Sequence, residues 1–175
     1  GQLISSYHGP SRSFTFNFMR ILHGCLRTTA SVQGSYRVTG TSGNTRYPGV
    51  TNGKFQLWGL DGAGSVGGIV VGSSPRAVQG TDFKLGSMYY QGAGVGQMAY
   101  DKGTYINETR AGGTVTQRLQ RVVTNNSGSA LRVNELGFIG GKQSLLLIRD
   151  IVGGGGARVG TLSTLTITYD FRTVI

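Results

Sequence analysis

Residues 165–175 read Leu-Thr-Ile-Thr-Tyr-Asp-Phe-Arg-Thr-Val-Ile and carry the strongest structural signal in the chain. Apolar and polar side chains alternate along most of this stretch, and successive side chains on a β-strand point to opposite faces. The alternation predicts a strand with one face on a core and the other in water. The residues expected to face the core are Leu165, Ile167, Tyr169 and Phe171. Such a strand ties this part of the chain into a sheet, which argues against a disordered tail.

The longer stretch from Ala130 to Ile175 reads as three strands joined by glycine-rich turns. The first strand is predicted at Ala130–Phe138 and the second at Gln143–Ile151, and the alternating stretch is the third. Apolar side chains of the second strand should pack beside the final one. Either Leu145 and Leu147 or Leu146 and Ile148 should face the core there, with Val133 close by.

Further strands are predicted upstream at 30–38, 54–60, 69–71, 100–107 and 113–124. Residues 73–98 lack strong periodicity and are interpreted as a long surface excursion. Apolar residues at three-and-four spacing, from Phe18 to Leu26, predict a short amphipathic helix at about 17–26. Asn17 is the expected N-cap, because an asparagine side chain accepts hydrogen bonds from the unpaired amides of a first turn.

Composition favours an all-β fold. Of the 175 residues, 31 are glycine and 3 are proline, and this glycine share is well above the usual ~7%. Glycines spread between Thr- and Val-rich runs are typical of tight turns and bulges between strands. The predicted fold is an antiparallel β-sandwich or jelly-roll-like domain with one short N-terminal helix. Residues 1–13 are interpreted as an N-terminal arm and residues 14–175 as a single domain.

The chain is strongly basic. Lys and Arg number 17 and Asp and Glu number 7, which gives a formal charge of +10. A charge of this sign attracts nucleic acid, anionic protein surfaces or polyanionic glycans. The arginines are scattered singly and form no basic tail, so nucleic-acid contact stays open but is not favoured. No apolar run reaches the ~18 residues that a membrane helix needs, so no membrane partner is expected.

Motifs for a cofactor or a metal are weak. The run Gly-Ala-Gly-Val-Gly at 92–96 lacks the flanking strand and helix of a dinucleotide-binding fold and the Gly-Lys-Ser/Thr of a P-loop. His8, His23 and Cys25 show no metal-ligand spacing. We therefore expect no cofactor and no bound metal.

Glu135 and Asp150 stand out among the carboxylates. A glycosidase would need two carboxylates ~5–10 Å apart and a complete set of proton-transfer groups. The favoured interpretation is a partly buried ion pair between Glu135 and Arg149 that fixes the register of a hairpin. We therefore expect no catalytic residues and no enzymatic activity. Structural roles are predicted for Glu135, Arg149, Ile167, Tyr169 and Phe171.

Several separated motifs follow one another through the second half of the chain. In order they are Ile69-Val70-Val71-Gly72, Asp82-Phe83-Lys84-Leu85, Gly92 to Tyr100, Thr124-Asn125-Asn126-Ser127-Gly128, Val133-Asn134-Glu135-Leu136-Gly137-Phe138, Leu146-Leu147-Ile148-Arg149-Asp150, and Leu165 to Tyr169. This order resembles a group of small structural proteins of tailed bacteriophage virions. The Val-Asn-Glu-Leu-Gly-Phe element is also similar to phage tail-collar and fibre-attachment domains. The four consecutive glycines at 153–156 depart from the group's usual turn before the last strand.

The resemblance implies a virion structural protein that acts in many copies. Its expected place is the virion, as a head decoration or cement protein or as a neck, collar or tail component. The partners implied are copies of itself and other virion proteins. The competing class is a binding module for polyanionic glycan or nucleic acid that uses the scattered arginines.

Overall fold

The computed structural model describes residues 14–26, 37–46, 67–140 and 144–174. The predicted arm at 1–13, the predicted strand at 54–60 and most of the predicted strand at 30–38 lie outside these ranges. The described residues form an all-β, sandwich-like fold with several antiparallel sheets and one short helix. This confirms the predicted fold class.

In the described ranges one helix precedes twelve strands. The elements are α1 (Phe16–Leu26), β1 (Val38–Thr39), β2 (Thr45–Arg46), β3 (Gly68–Gly72), β4 (Tyr90–Gln91), β5 (Gln97–Tyr100), β6 (Thr104–Ala111), β7 (Thr114–Thr124), β8 (Leu131–Val133), β9 (Glu135–Gly140), β10 (Leu145–Ile151), β11 (Ala157–Val159) and β12 (Thr164–Val174). β3, β7, β10 and β12 lie close to their predicted bounds. The strand predicted at 100–107 is displaced along the chain, because β5 ends at Tyr100 and β6 begins at Thr104 and runs on to Ala111.

The start of α1 is anchored to neighbouring strands. The Thr15 amide donates to the Leu147 carbonyl at 3.0 Å, just before the helix begins at Phe16. The predicted N-cap at Asn17 is wrong, because Asn17 already lies inside the helix. Its side chain instead forms two hydrogen bonds with the Thr39 backbone, at 2.7 and 3.0 Å. Asn17 therefore joins α1 to β1.

Two sheets contain most of the strands. One has the order β10-β9-β3 and is antiparallel. The other has the order β12-β7-β5-β4, with β6 also paired to β7. Only β4 and β5 run parallel in this second sheet. The pairs β1-β2 and β11-β8 are small and antiparallel.

The prediction that the final strand lies beside β10 is wrong. β12 pairs with β7 along its whole length, from Thr164 opposite Thr124 to Val174 opposite Thr114. β10 pairs with β9 instead. The run Leu145–Ile148 of β10 is completely buried, as is common for strands covered on both faces. Such a run carries no alternation from which a packing partner could be chosen.

The structure places the predicted core face of β12 against the main core. Ile167 and Tyr169 are buried, and Leu165 and Phe171 are half-buried and pack against the same core. Side chains from α1 and from both large sheets share this core. Buried members from these elements include Ile21, Val71, Met98, Val123, Phe138 and Leu146.

Two further segments differ from their predictions, the continuous strand expected at 130–138 and the surface excursion expected at 73–98. The strand predicted at 130–138 divides into β8 and β9 at Asn134, whose side chain donates to the Ser73 carbonyl at 2.6 Å. The segment 73–98, interpreted as a surface excursion, is partly buried and contributes Leu85 and Tyr89 to the core. Its lack of periodicity reflects anchoring by individual contacts rather than by a regular element.

The edges of the two sheets differ. Residues 14–15 cover the outer edge of β10 through a bridge between Phe14 and Ile148. The segment around Met88 covers the outer edge of β3 through a bridge with Gly72. β12 has β7 on one side, and no strand among the described residues pairs with its other side. An eleven-residue strand edge is therefore open in the described structure.

Ile167→Ala should lower the free energy of unfolding by about 2–5 kcal/mol, because it removes buried apolar volume. Urea denaturation followed by circular dichroism measures this change. Thr166→Ala lies on the exposed face of the same strand and is the matched control, expected to change stability by about 1 kcal/mol or less. Equal losses in the two variants would show that the face of β12 is assigned wrongly.

Candidate functional site

Arg149 on β10 is 0% exposed, and carboxylate and carbonyl oxygens surround its guanidinium. Nε donates to Glu135 Oε2 at 2.9 Å, and Nη2 forms an ion pair with the same oxygen at 2.8 Å. Nη1 donates to Asp82 Oδ2 at 2.8 Å and to the Ala77 carbonyl at 3.2 Å. Nη2 also donates to the Arg76 carbonyl at 2.9 Å. A guanidinium is tolerated in an interior when it is paired and hydrogen-bonded, and Arg149 has two carboxylate partners and four hydrogen bonds.

Glu135 on β9 is equally buried and collects three backbone amides. Its Oε1 accepts from Ser87 at 2.8 Å and from Ser74 at 3.3 Å, and its Oε2 accepts from Gly86 at 3.0 Å. The ion pair with Arg149 expected from the sequence is present, but it is fully buried rather than partly buried. The pair therefore holds an irregular segment onto the β10-β9-β3 sheet.

The Glu135–Arg149 pair crosses the hairpin on a diagonal. In the β9-β10 register Glu135 lies opposite Ile151 and Arg149 lies opposite Gly137. Long side chains on the same face reach their diagonal neighbours. A slip of one residue would send one of the two charges to the other face of the sheet, so the pair selects this register.

Asp82 extends the cluster to a second arginine. Its Oδ1 accepts from Arg76 Nη2 at 2.5 Å, and its Oδ2 accepts from the Gln79 amide at 2.9 Å and from Arg149. Burial alone would raise the pKa of Asp82. The hydrogen bonds from Arg76, Gln79 and Arg149 outweigh that effect, and the pKa lies below its ordinary value. Asp82 is therefore charged at neutral pH. We call Arg76, Asp82, Glu135 and Arg149 the arginine clamp.

Gly72 makes room for the arginine clamp. A Cβ atom at this position would lie 2.6 Å from Glu135 Oε1 and would collide with the Ser87 carbonyl oxygen. The absence of a side chain lets the segment around Ser87 lie directly against the end of β3. The motif Val-Val-Gly at 70–72 thus combines two buried valines with the close approach that Glu135 requires.

Glu135 and Asp150 do not form the paired-carboxylate arrangement considered from the sequence. Asp150 follows Arg149 along β10, so its side chain leaves the opposite face of the strand. Asp150 accepts a hydrogen bond from the Tyr169 hydroxyl at 3.0 Å. Burial, together with the nearby charge of Asp150, raises the pKa of Tyr169 well above its ordinary value. Each of the two carboxylates therefore contacts a neighbouring segment of the fold.

A second buried arginine joins the two large sheets. Arg121 on β7 is 2% exposed, and its guanidinium donates to the carbonyls of Gly67, Ile69 and Asp101 at 2.7, 2.9 and 2.8 Å. It also lies over the Tyr100 ring, 5.0 Å from the centroid. Burial lowers the pKa of Arg121 and raises the pKa of Tyr100 to about 12. Sequence reasoning missed this residue, although it shares the parity of the buried positions on β7.

Asn125, in the Asn-Asn-Ser-Gly turn, holds two turns together. Its Nδ2 donates to the Ser129 carbonyl at 2.7 Å and to the Val159 carbonyl at 2.9 Å. Its Oδ1 accepts from the amide of Ser127 at 3.0 Å. Leu162, in the turn before β12, donates its amide to the Asn125 carbonyl at 2.8 Å. An amide side chain supplies the donors and the acceptor that this buried position needs.

The glycine run at 92–96 forms a turn closed by its own chain. Gln97 Oε1 accepts from the Gly94 amide at 2.9 Å, and the Gln97 amide donates to the Gly94 carbonyl. In the described part of the chain there is no cluster of three or more His, Cys, Asp or Glu residues that could hold a metal. Among the same residues, no helix has the length and apolar character needed to cross a bilayer.

The outer face of β12 carries a charged ladder shared with β7. Asp170 accepts from Arg118 Nε at 2.6 Å and from its Nη2 at 2.8 Å, a bidentate contact between directly opposite residues. Gln120 donates to Thr168 at 3.2 Å. These contacts fix the β7-β12 register on the face that points away from the core.

A cleft of about 510 Å³ lies next to the arginine clamp. It is lined by Thr41, Ser42, Lys84, Leu85, Gly86, Ser87, Met88, Tyr90, Ile139 and Ser144. Hydroxyl groups and Lys84 line it together with the apolar side chains of Leu85, Met88 and Ile139, so its character is mixed. The backbone of Gly86 and Ser87 connects the cleft wall to Glu135.

Apolar side chains are also exposed on α1. Phe16, Met19 and Leu22 are about half exposed and recur every three residues, so they share one side of the helix. The other side carries Phe18 and Ile21, which pack on the core. Exposed apolar stripes of this kind are typical of contact surfaces.

The fold and these contacts define an all-β, sandwich-like domain whose buried polar residues act as clamps between strands and loops. Comparison with protein-family models, with curated proteins and with solved structures finds no match to this chain.

Glu135→Gln should lower the free energy of unfolding by about 3–5 kcal/mol, because it removes one of the two carboxylates that pair with the buried Arg149 charge. Thermal and urea denaturation measure the loss. Asp170→Asn is the matched control, since it removes a carboxylate from an exposed arginine pair, and its effect should be much smaller. A Glu135→Gln protein as stable as the unmodified chain would contradict the clamp role.

Acid should destabilise the fold through Asp82. Because the folded state holds the pKa of Asp82 below its ordinary value, this carboxyl contributes stability above that ordinary value. The contribution is lost as the pH falls through the folded-state pKa, so the free energy of unfolding should decrease between about pH 5 and pH 3. Asp82→Asn should flatten this dependence. An equally steep dependence in Asp82→Asn would assign the acid sensitivity to other carboxylates.

Proposed function

We propose that this protein is a structural subunit of a bacteriophage virion, acting in many copies through protein–protein contacts. Its place is on the head as a decoration or cement protein, or in the neck, collar or tail. The supporting sequence pattern is the ordered set of motifs that resembles small virion proteins. The supporting structural observation is the outer edge of β12, eleven residues long, with which no strand among the described residues pairs.

An open strand edge is a device for assembly. Its unpaired amide and carbonyl groups accept a strand from another chain, and the added backbone hydrogen bonds extend the sheet. Both outer edges of the β10-β9-β3 sheet are covered by the chain itself, whereas β12 is uncovered in the described structure. The contrast supports contact with other subunits at β12 in particular.

The polar residues that carry the motifs are used internally. Asn125, Glu135 and Arg149 are all 0% exposed and bonded within the chain. Such residues stabilise a subunit and leave its outside for packing. The exposed apolar residues Phe16 and Met19 on α1 offer a second contact surface for a neighbouring protein.

A binding module for polyanionic glycan or nucleic acid is the second candidate, and the formal charge of +10 favours it. Several arginines that could serve this role already bond within the chain. Arg76 contacts Asp82, Arg118 contacts Asp170, and Arg132 donates to the Gly155 carbonyl at 2.6 Å. These guanidinium groups are therefore engaged by acceptors of the chain itself, so the structural role is preferred.

Electron microscopy of particles assembled without this subunit tests the proposal. We expect particles with missing density, or broken particles, and recovery when the purified protein is added back. Intact infectious particles with no missing density would overturn the structural role. Binding to heparin or single-stranded DNA provides the comparison, because a polyanion-binding protein loses affinity steeply as salt rises, whereas attachment to the particle through an apolar interface should persist.

A further inference from the structure

We infer that β12 is a self-association edge, at which two copies of this chain pair β12 with β12 in antiparallel orientation, centred on Phe171. The inference rests on the proposed function and names a second copy as the partner at this edge. β12 is long enough for such pairing, because it spans residues 164–174. Among the described strands these residues pair with β7 alone, on one side of β12. A two-fold axis perpendicular to the sheet would relate the two copies.

The two-fold geometry limits the register. Residues directly opposite one another in an antiparallel pair point to the same face of the sheet. Both copies then place their core faces on the same side of the joined sheet. This requires one residue at the two-fold axis to lie opposite the same residue of the second copy, because a centre between two residues would pair side chains of opposite faces. The choice of that residue decides which side chains of the outer face meet across the new edge.

The charges of Asp170 and Arg172 decide which residue lies at the two-fold axis. When Phe171 lies opposite Phe171 of the second copy, Asp170 of each chain lies opposite Arg172 of the other. A centre at Asp170 would place two carboxylates opposite each other, and a centre at Arg172 would place two guanidinium groups together. Opposite charges directly across a strand pair are stabilising and like charges are destabilising, so the sequence favours the Phe171 centre.

The two charged side chains are placed to make these contacts. Asp170 is fixed on the outer face by its bidentate contact with Arg118. The Arg172 side chain is 66% exposed and lies 3.4 Å from its own Asp170. Because this contact is long and exposed, exchanging it for Asp170 of a second copy costs little.

Phe171 supplies the apolar part of the contact. Its ring is half-buried, with centroids 6.3 Å from the Phe138 ring and 6.4 Å from the Tyr169 ring. In the inferred register the two Phe171 residues are direct neighbours, so each covers the exposed part of the other. Pairing residues 168–174 of both chains would join the two β6-β7-β12 regions into one continuous sheet.

Charges on an edge strand can also block association. Blocking by repulsion needs like charges to face each other in the registers that a second copy can adopt. The spacing Asp170-Phe171-Arg172 instead makes the edge self-complementary in one register and repulsive in the two adjacent ones. That selectivity is the feature that favours a defined dimer over blocking and over disordered aggregation.

Charge exchange between two variants tests the inference. Arg172→Asp should place Asp opposite Asp170, and Asp170→Arg should place Arg opposite Arg172. Each variant alone should dimerise about tenfold or more weakly than the unmodified protein in sedimentation equilibrium. Mixed in equal amounts, the two should recover association as a heterodimer, because both cross-strand pairs are again of opposite charge.

Arg158→Asp provides the matched control, since it makes the same charge change on β11, away from the β12 edge. Its dimerisation should equal that of the unmodified protein. Circular dichroism melting of every variant checks that it is folded, because Asp170→Arg also removes the contact with Arg118.

Cysteine cross-linking tests the register without altering the charges. With Cys25, the single cysteine, replaced by serine, Phe171→Cys should form a disulfide between copies, since directly opposite residues have Cα atoms ~4.5–5.5 Å apart. Thr173→Cys should cross-link far less, because Tyr169 of the second copy lies opposite it.

A monomer at all accessible concentrations would overturn the inference, as would a dimer that is insensitive to both charge variants and does not cross-link at position 171. Either result would leave the virion role standing. Intact particles in the absence of this subunit would overturn that role while leaving a measured dimer unaffected.

Discussion

The guanidinium of Arg149 sets the constraint on which the rest of the described structure depends. A charged group with no exposed surface has to find an acceptor for every N–H, and the acceptors for Arg149 come from two carboxylates and two carbonyls. Supplying them requires the segment that carries Asp82 to lie against the β9-β10 hairpin. It also requires Glu135 to be buried beside Gly72, where no side chain intrudes. One interior charge thereby fixes a strand register and the position of an irregular loop.

Each of the buried polar residues connects a different pair of segments in the fold. Arg149 and Glu135 hold the loop on the first sheet, Arg121 joins that sheet to the second, and Asn125 ties the turns at the start of β8 and before β12. These groups are bonded inside the chain and contribute to its cohesion. The described residues also offer surfaces to other molecules, namely the β12 edge that no described strand pairs with, the apolar side of α1 and the cleft beside Lys84. These surfaces suit the proposed structural role.

Features that depend on local sequence pattern were predicted correctly, whereas features that depend on contacts between distant segments were not. Alternation located β12 and the face that buries Ile167, because that pattern depends only on the pleat of a strand. The same signal could not identify β7 as its neighbour, since pairing is a property of two distant segments. Asn17 shows a related failure: its type suits an N-cap, yet its side chain bonds to the Thr39 backbone. The segment 73–98 has no period because isolated contacts anchor it.

The sequence by itself determined the all-β class, the short helix and the approximate positions of β9, β10 and β12. These features follow from local periodicity and turn residues. It also indicated an ion pair between Glu135 and Arg149 from their places on one hairpin. Only the tertiary structure decided that this pair is fully buried, that Asp82 completes it, and that β12 is an edge strand among the described strands. The physical reason is that burial and edge position depend on segments distant in sequence, whereas periodicity is written into each segment alone.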